Sequence, residues 1–291
     1  MSTIETIDLV GVVGGGQMGS GIAEVSARKG CDVVLVEVDQ ERADAAVGRI
    51  GASLQRGVSR GKLTAEEADE TIGRIRGAAS LDELADRQLV VEAVVERKDA
   101  KLDVVTRLAE IVTDPEAILA SNTSSIPIVE LGAAVGQRSG YVLGMHFFNP
   151  VPVLSLVELI PSLLTKDTTH ERARAFVVDR LGKDPIDAPD RAGFTVNALL
   201  IPYLLSAIRM LEQGLASAKD IDQGMVKGCA HPMGPLALSD LIGLDTVLGI
   251  SETLYDEHRE QLFAPPALLQ RLVAAGRLGR KSGHGLYDYD A

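Results

Sequence analysis

The chain has 291 residues, of which 46% are hydrophobic and 24% charged, an ordinary balance for a globular protein with one large or two smaller domains. Its net charge of −12 argues against non-specific binding to nucleic acid or to an anionic membrane surface. The sequence begins without a basic signal-peptide region, and its most apolar stretch, residues 199–211, is too short to span a bilayer. The two cysteines make no disulfide framework. We therefore expect a cytoplasmic protein whose partners include neither nucleic acid nor a membrane.

The start of the chain shows the pattern of a dinucleotide-binding unit. The apolar strand Ile7–Val13 leads into Gly14–Gly19, which matches G-x-G-x-x-G, and a helical run follows. A second apolar strand, Val33–Val38, carries Glu37 near its end. In this motif the glycines permit a tight turn and close approach of the pyrophosphate, which lies at the helix N-terminus. The pattern predicts cofactor contacts at Gly14, Gly16, Gln17, Met18, Gly19 and Glu37.

Glu37 decides which dinucleotide we expect. Its carboxylate can accept hydrogen bonds from the ribose hydroxyls of the adenosine, whereas it would repel the 2′-phosphate of NADP. The three residues that follow, 38–40, supply no arginine. The sequence therefore favours NAD over NADP.

The segment after the second strand is longer than a simple crossover and predicts a helical hairpin that projects from the sheet. Its helices are expected at Gln40–Arg56 and Thr64–Arg76, and the second begins with a capping box. The tip carries a local basic patch formed by Arg56, Arg60 and Lys62. Such a patch is either a solvated surface tip or a clamp for a phosphorylated ligand tail, and the pattern leaves both open.

Two further strands, Leu89–Val95 and Ile118–Ser121, are each followed by polar residues. Ligands bind beyond the carboxyl ends of the strands of a parallel sheet. Glu96, Ser124 and His146 all fall at such ends, so we expect them in one site. Ser124 could instead cap the next helix.

His146 and Glu158 form the most informative pair in the sequence. They lie twelve positions apart, on two apolar segments separated by the turn Asn149–Pro152. If the turn brings these segments together, the carboxylate can reach the imidazole, fix its tautomer and stabilise the imidazolium. This pairing is typical of a base that removes a proton from an alcohol. The alternative is a core histidine beside an unrelated glutamate.

The strand patterns stop near Asp190, and helical runs take over. This change predicts a dinucleotide-binding domain over residues 1–189 and a smaller helical domain over residues 190–291. The first helical run is apolar nearly all round, so it is buried by neighbours or by another subunit. Asn197, near its start, is either a helix cap or a ligand-binding residue. The predicted runs are Val196–Glu212, Ser217–Lys227, Leu236–Tyr255 and Pro266–Ala275.

The other histidines and the cysteines give no sign of chemistry. No Cys/His pairing has the spacing of metal ligands, so no metal is expected. None of the other histidines has a neighbouring carboxylate in the arrangement of His146 and Glu158, and we assign them no role.

Six stretches of the sequence, taken in order, resemble the 3-hydroxyacyl-CoA dehydrogenase family over nearly the whole chain. They are GGGQMGSGIA, VVEAVVE, ASNTSS, GMHFFNPVPV with LVEL after it, GFTVN, and HPMGPLALSDLIGLD. The HFFNP stretch with its downstream glutamate is the most specific. The resemblance implies an α/β fold, in which a Rossmann-type NAD-binding domain with an inserted helical hairpin precedes a smaller all-helical C-terminal domain. It also implies a homodimer formed through that second domain.

The resemblance assigns a role to each matching residue. His146 would be the catalytic base and Glu158 its carboxylate partner. Ser124 and Asn197 would hydrogen-bond the reacting oxygen of the substrate or the adjacent thioester, and Ser124 would also border the cofactor. The positions expected near the cofactor are Glu96, Lys101 and Asn149, and those expected near the CoA phosphates are Ser53, Arg60 and Lys62.

Two departures from the family pattern matter. Many members have arginine directly after the second-domain asparagine, where this chain has Ala198, so a salt bridge at that point is in doubt. Many members also have aspartate where Glu37 stands. Glutamate is one methylene longer and still binds ribose hydroxyls, so NAD remains the expected cofactor.

The predicted reaction is the reversible oxidation of a short-chain (S)-3-hydroxyacyl-CoA, such as 3-hydroxybutyryl-CoA, with hydride transfer to NAD. A first rival is a dehydrogenase of a small free hydroxy acid or sugar acid, which would not require CoA. A second rival is a non-catalytic NAD-binding protein, against which the intact pair of His146 and Glu158 counts.

Overall fold

A computed structural model of the chain describes residues 6–289. The signal-peptide prediction falls in part on residues 1–5, which lie outside the described residues. The chain divides into two compact units, Met1–Asp190 and Arg191–Ala291.

The first unit is built on a mixed sheet with strand order β3-β2-β1-β4-β5-β6-β7-β8 in its described part. All neighbouring strands are parallel except β6 and β7, which are antiparallel. The strands between the two edges of the sheet read as nearly continuous apolar runs because helices cover the sheet. The strands are β1 Leu9–Val13, β2 Asp32–Val36, β3 Ile75–Ala78, β4 Leu89–Glu92, β5 Ile118–Ser121, β6 Val142–Phe147, β7 Leu156–Pro161 and β8 Asp184–Asp187.

The helices of the first unit connect these strands in the order expected of a dinucleotide-binding fold. A single core joins residues of the sheet to residues of α1, α2 and α3. The helices are α1 Gln17–Arg28, α2 Gln40–Ser59, α3 Ala65–Gly73, α4 Lys98–Ile111, α5 Ile128–Ala134 and α6 Asp167–Ala175.

The hairpin of α2 and α3 is present, with the predicted capping box at Thr64 and Glu67. The sequence analysis expected this hairpin to project from the sheet, but its inner face packs against the main core. Ile50, Leu54 and Ala68 on its inner face are fully buried in the main core. The helical periodicity located the helices, but their inner faces pack on the sheet side because each carries an apolar stripe.

Several strand boundaries differ from the predictions. The second and third predicted strands end earlier, at Val36 and Glu92, since Val38 and Val95 beyond them are exposed. The second hairpin helix was expected to continue to residue 76, but this part of the chain forms the edge strand β3. The four residues IRGA of β3 gave no strand pattern because edge strands are often very short and carry charged side chains, here Arg76. The helices α4 and α6 and the strand β8 were not predicted.

The second unit is helical. Its core is formed by apolar residues of all its helices, and none of the helices described between residues 6 and 289 could cross a bilayer. The third predicted run is wrong in one respect, because it forms two helices separated at Gly243, whose φ is +102°. A backbone with that φ favours glycine and ends a helix. The helices are α7 Val196–Glu212, α8 Ala218–Gly228, α9 Pro235–Ile242, α10 Leu244–His258 and α11 Ala267–Ala274.

Candidate active site

The turn between β1 and α1 is shaped by glycines. Gly14 has φ +94°, and a Cβ there would lie 2.8 Å from the carbonyl oxygen of Ala93. A Cβ on Gly19 would lie 1.8 Å from the carbonyl oxygen of Gly14, so turn and helix are too close for a side chain. A Cβ on Gly16 would meet nothing within 4 Å. The first N–H groups of α1 therefore border an open space that suits a pyrophosphate.

The two residues inside the motif lie in the first turn of α1. Gln17 is exposed, and Met18 is half-buried and packs against the main core. Both are therefore beside the helix N-terminus, where a bound pyrophosphate would lie.

Glu37 directly follows β2 and reaches the same turn. Its Oε1 accepts a hydrogen bond from the N–H of Gly15 at 2.8 Å, and its Oε2 accepts one from the N–H of Val38 at 3.1 Å. The carboxylate thus lies at the turn, where the motif requires an acid for the ribose. Arg49 of α2 donates a hydrogen bond to the carbonyl oxygen of Gly15 at 2.7 Å. The sequence analysis missed Arg49, because this contact depends on how α2 packs.

The segment after β5 is held by Glu96. Its Oε1 accepts hydrogen bonds from the Thr123 hydroxyl at 2.5 Å, the Ser124 N–H at 2.9 Å and the Ser125 hydroxyl at 2.9 Å. The Ser124 hydroxyl lies 3.4 Å from the same oxygen. Burial would raise the pKa of Glu96, but the Lys101 ammonium and these hydrogen bonds outweigh it and lower the pKa. Glu96 is therefore an anion at neutral pH and fixes the position of Ser124.

The alternative role of Ser124, as the cap of α5, does not hold. The N–H groups of Ile128 and Val129 at the start of α5 donate to the Asp190 carboxylate at 2.6 and 2.7 Å. Asp190 thus supplies the cap, and Ser124 is left for another role.

Lys101 of α4 is a buried cation between two carboxylates. Only 1% of its side chain and none of the Glu92 side chain is exposed, and its Nζ lies 2.9 Å from both carboxylate oxygens of Glu92. The Oε2 of Glu96 lies 3.3 Å from the same Nζ, and the Ser121 hydroxyl donates to Glu92. The sequence analysis missed Glu92. A glutamate inside an apolar strand was the available signal, since a buried charge needs a partner.

His146 and Glu158 are brought together as predicted. They are register partners in the antiparallel pair β6 and β7, and Nδ1 of His146 lies 2.7 Å from Oε2 of Glu158. Both side chains are buried, and the Phe148 ring lies 4.6 Å from the imidazole, centroid to centroid. The carboxylate accepts the Nδ1 proton and so sets the tautomer of the ring. The arrangement is that of a general base with an orienting carboxylate.

The ends of β5 and β6 are tied to each other. Ser121 is the register partner of Gly144, and the Asn122 side-chain oxygen accepts a hydrogen bond from the Phe147 N–H at 2.8 Å. The Ser124 segment and His146 therefore lie at neighbouring strand ends. Asn149 follows β6, is exposed, and precedes Pro150 through a cis peptide bond. The sequence analysis did not single out Asn122.

Two family models match the chain in succession. The model for the 3-hydroxyacyl-CoA dehydrogenase NAD binding domain matches residues 9–191, and that for the C-terminal domain of the same enzymes matches residues 193–289. The chain belongs to the 3-hydroxyacyl-CoA dehydrogenase family.

Individual relatives agree with this assignment. A 3-hydroxybutyryl-CoA dehydrogenase of Mycobacterium tuberculosis is 52% identical, over 98% of this chain and 99% of its own length. The crystal structure of M. tuberculosis FadB2 superimposes with a TM-score of 0.97 at 52% identity, covering 98% of this chain and 100% of that chain. The (S)-3-hydroxybutyryl-CoA dehydrogenase PaaH1 from Ralstonia eutropha has a TM-score of 0.93 at 44% identity, with 98% and 100% coverage.

These matches confirm the predicted family, the α/β fold with a helical C-terminal domain, the oxidoreductase class and NAD as the cofactor of this dehydrogenase. The open space at the α1 N-terminus and the acid at Glu37 fit that cofactor.

Asn197 of the dehydrogenase belongs to the second compact unit and is described within it. The N-cap position of α7 is Thr195, so Asn197 is inside the helix and is not its cap. It is buried, although it is polar. A buried amide near the start of an otherwise apolar helix is consistent with the ligand-binding alternative.

The three residues expected near the CoA phosphates lie along the hairpin. Arg60 and Lys62 are exposed at its tip, and Ser53 is half-buried. Burial raises the pKa of the nearby Glu24, an effect that the Ser53 hydroxyl and the cations Arg28 and Arg56 offset in part.

Two other histidines have carboxylate partners, although neither pair has the arrangement of His146 and Glu158. His170 lies 2.7 Å from Asp187, and His284 lies 2.9 Å from Asp288. Both of these carboxylates are exposed, unlike Glu158, so the two pairs lack the buried setting of His146. Among residues 6–289, no three His, Cys, Asp or Glu side chains are grouped as they would be to hold a metal ion.

Proposed function

We propose that this dehydrogenase reversibly oxidises short-chain (S)-3-hydroxyacyl-CoA esters, with 3-hydroxybutyryl-CoA giving acetoacetyl-CoA. The observation that carries the proposal is the 2.7 Å contact between the buried pair His146 and Glu158, at the strand end next to the Ser124 segment. The names of the M. tuberculosis and R. eutropha relatives, which align over nearly their whole length, support this substrate.

His146 acts as the general base in the oxidative direction. Because Glu158 accepts the Nδ1 proton, Nε2 is the nitrogen that takes the proton of the substrate 3-hydroxyl. The ring becomes an imidazolium in this step, and the carboxylate 2.7 Å away stabilises it. Bound NAD supplies the hydride acceptor. In the reductive direction, His146 returns the proton to the developing alkoxide.

Ser124 positions the reacting end of the substrate. Its hydroxyl hydrogen-bonds the reacting oxygen, and Glu96 holds it by bonding to its N–H. Lys101 keeps Glu96 in place, and the two residues would lie near the nicotinamide and its ribose when NAD is bound. Asn197 adds a hydrogen bond to the substrate thioester, and Asn149 supports the cofactor side of the site.

The two parts of the chain divide the work. Residues 1–189 bind NAD, and residues 190–291 form a homodimer with the same residues of a second copy. At the hairpin, Arg60 and Lys62 contact the phosphates of CoA with the help of Ser53, so remote binding orients the reacting end. The cytoplasmic location stays a prediction from the sequence.

The test is NADH oxidation followed by absorbance, with acetoacetyl-CoA as substrate and free acetoacetate and NADPH as controls. Turnover with the CoA ester and NADH alone is expected. Equal turnover of free acetoacetate would show that the enzyme acts on a small free acid and does not require the CoA ester. The absence of turnover in a protein that binds NADH would overturn the proposed reaction.

Replacement of the base tests the mechanism directly. His146→Ala is expected to lower kcat for acetoacetyl-CoA by about 10²- to 10⁴-fold, because the proton transfer loses its catalyst. The NADH dissociation constant, measured by fluorescence titration, is expected to stay unchanged. His170→Ala removes another carboxylate-paired histidine at the surface and is the matched control. Full activity of His146→Ala would contradict the assignment.

A further inference from the structure

The first unit contains a cavity that the mechanism does not use. Its volume is about 470 Å³, within the range of small-ligand sites. The walls come from the C-terminal end of α1, from α3, from the turn between β6 and β7 and from the loop that precedes β8.

Four basic side chains line this cavity. They are Arg28 and Lys29 at the end of α1, Arg74 at the end of α3, and Lys183 before β8. Two acidic side chains, Glu67 and Glu70, also line it. The carboxylate of Glu67 is already engaged, because it accepts the N–H of Thr64 at 2.8 Å in the capping box of α3.

The basic residues have little neutralisation from the protein. Among residues 6–289, neither Lys29 nor Arg74 forms an ion pair, and Arg28 has only a 3.8 Å contact with Glu24. Lys183 is 91% buried and donates to two carbonyl oxygens, those of Val151 at 2.8 Å and Leu154 at 2.6 Å.

The like charges that line the cavity affect the pKa of Lys183. Burial lowers the pKa of Lys183, and the like charges of Arg28 and Lys29 lower it further, whereas Asp184 opposes them. Gathering like charges around a cavity costs free energy, which an anion in the cavity would recover. Arginine and lysine together are the usual ligands of phosphate groups.

We infer that this cavity binds the phosphate groups of a nucleotide-sized anion through Lys29, Arg74, Arg28 and Lys183. Two sources share this chemistry, namely the nucleotide end of the CoA ester and a separate phosphorylated small molecule. The first source rests on the proposed function, and it would place the CoA nucleotide in this cavity instead of at Arg60 and Lys62.

The cavity is coupled to the catalytic strand. Pro152, Val153 and Ser155 in its wall belong to the turn that follows β6, and β6 carries His146. Lys183 holds the same turn through the carbonyl groups of residues 151 and 154. An anion in the cavity therefore stabilises the segment that directly follows the catalytic histidine.

The experiment compares the wild type with the double variant Lys29→Ala/Arg74→Ala. Lys183 is left in place because it supports the turn. Binding of adenosine 3′,5′-bisphosphate and of inorganic pyrophosphate is measured by calorimetry, and KM is measured for acetoacetyl-CoA and for acetoacetyl-pantetheine, which lacks the nucleotide. Arg107→Ala removes an exposed arginine of α4 and is the control. The variant Lys29→Arg/Arg74→Lys keeps both charges and is expected to restore binding.

The binding and KM measurements distinguish the two sources of the phosphate ligand. At least tenfold weaker binding of the bisphosphate in the alanine variant, with a KM increase for acetoacetyl-CoA alone, supports the CoA source. Weaker binding with both KM values unchanged supports a separate phosphorylated ligand. If the alanine variant binds the bisphosphate more weakly but the wild type does not reduce acetoacetyl-CoA, the phosphate site is supported and only the proposed function is overturned. Unchanged binding of both probes together with unchanged KM values overturns the inference.

Discussion

The contact between His146 and Glu158 is fixed by strand register. The two residues face each other in the antiparallel pair of β6 and β7, so their side chains point to the same side of the sheet. A slip by one residue would move one of them to the opposite side. The buried apolar residues around them on both strands prevent such a slip.

Glu158→Gln tests whether the Glu158 carboxylate orients His146. A glutamine amide can donate to Nδ1, which would favour the tautomer with its proton on Nε2, where the base is needed. We expect kcat to fall by about 10²- to 10⁴-fold, with the KM for NADH little changed. Asp187→Asn alters the exposed partner of His170 and is the matched control. Wild-type kcat in Glu158→Gln would show that the carboxylate does not orient the base.

Glu92→Gln tests the buried charge cluster. The change leaves the Lys101 ammonium with Glu96 alone, at 3.3 Å, in a site where Lys101 is 1% exposed. Removing one partner of a buried ion pair costs about 3–5 kcal/mol, so urea unfolding is expected to show a loss of that order. Asp103→Asn removes an exposed partner of Arg107 and is expected to change stability by less than about 0.5 kcal/mol. Equal effects of the two variants would contradict the importance of the cluster.

At the level of residues, the sequence located the glycine turn, Glu37 and the pair of His146 and Glu158, because each has a fixed spacing within one motif. It missed Asn122 and Arg49, whose contacts join segments that lie far apart in the chain. Such contacts depend on strand order and helix packing, which periodicity in one sequence does not encode.

At the level of elements, apolar periodicity predicted the central strands and the long helices except α4. It failed for β3 and β8, which are four residues long and lie at the two edges of the sheet. Edge strands bury little, so their sequences carry a weak apolar signal. It also failed at Gly243, where the apolar pattern of α9 runs on into α10 although the backbone turns between them.

The C-terminal segment after α11 is fastened to the second unit by two carboxylates. Asp240 of α9 accepts hydrogen bonds from the N–H groups of Leu286 and Tyr287 and from the Tyr289 hydroxyl, each at 2.9 Å. Asp222 of α8 accepts the Tyr287 hydroxyl at 2.9 Å. These hydrogen bonds hold the C-terminal segment against α8 and α9.

The two tyrosines of this segment make the stability of the folded protein depend on pH in the alkaline range. Burial and then Asp240 raise the pKa of Tyr289 to about 12, and burial and Asp222 raise that of Tyr287. The unfolded chain loses these protons near pH 10 and the folded chain only at higher pH. Stability from this source is therefore full below pH 10 and is lost as the pH rises towards 12.

Tyr289→Phe removes the titrating group. Between pH 10 and 12 we expect Tm to fall less steeply in this variant than in the wild type. Its Tm at pH 8 is expected to be lower, because the variant loses a hydrogen bond that contributes about 1 kcal/mol to the free energy of unfolding. Tyr141→Phe, in the first unit, is the control and keeps the contacts of Asp240 intact. Parallel Tm curves for wild type and Tyr289→Phe would refute the argument.

For the whole molecule, the surface of the second unit is the main clue to assembly. Leu199 of α7 and Leu215 after it are 73% and 68% exposed, and Met210 is also exposed. A groove of about 380 Å³ between α7 and α8 has a mostly apolar wall that includes Met210 and Met225. Contiguous apolar surface of this kind is typical of a protein interface.

Met210→Glu tests the proposed homodimer. A charge in an apolar interface loses its water on association, so the variant is expected to sediment with the mass of one chain, whereas the wild type has the mass of two. Leu163→Glu changes a leucine of the first unit that is 96% exposed, and it is expected to leave the dimer intact. Because circular dichroism reports the fold of the helices separately, loss of the dimer can be told from loss of structure. A wild-type protein with the mass of one chain at micromolar concentration would refute the dimer, and a dimeric Met210→Glu variant would place its interface elsewhere.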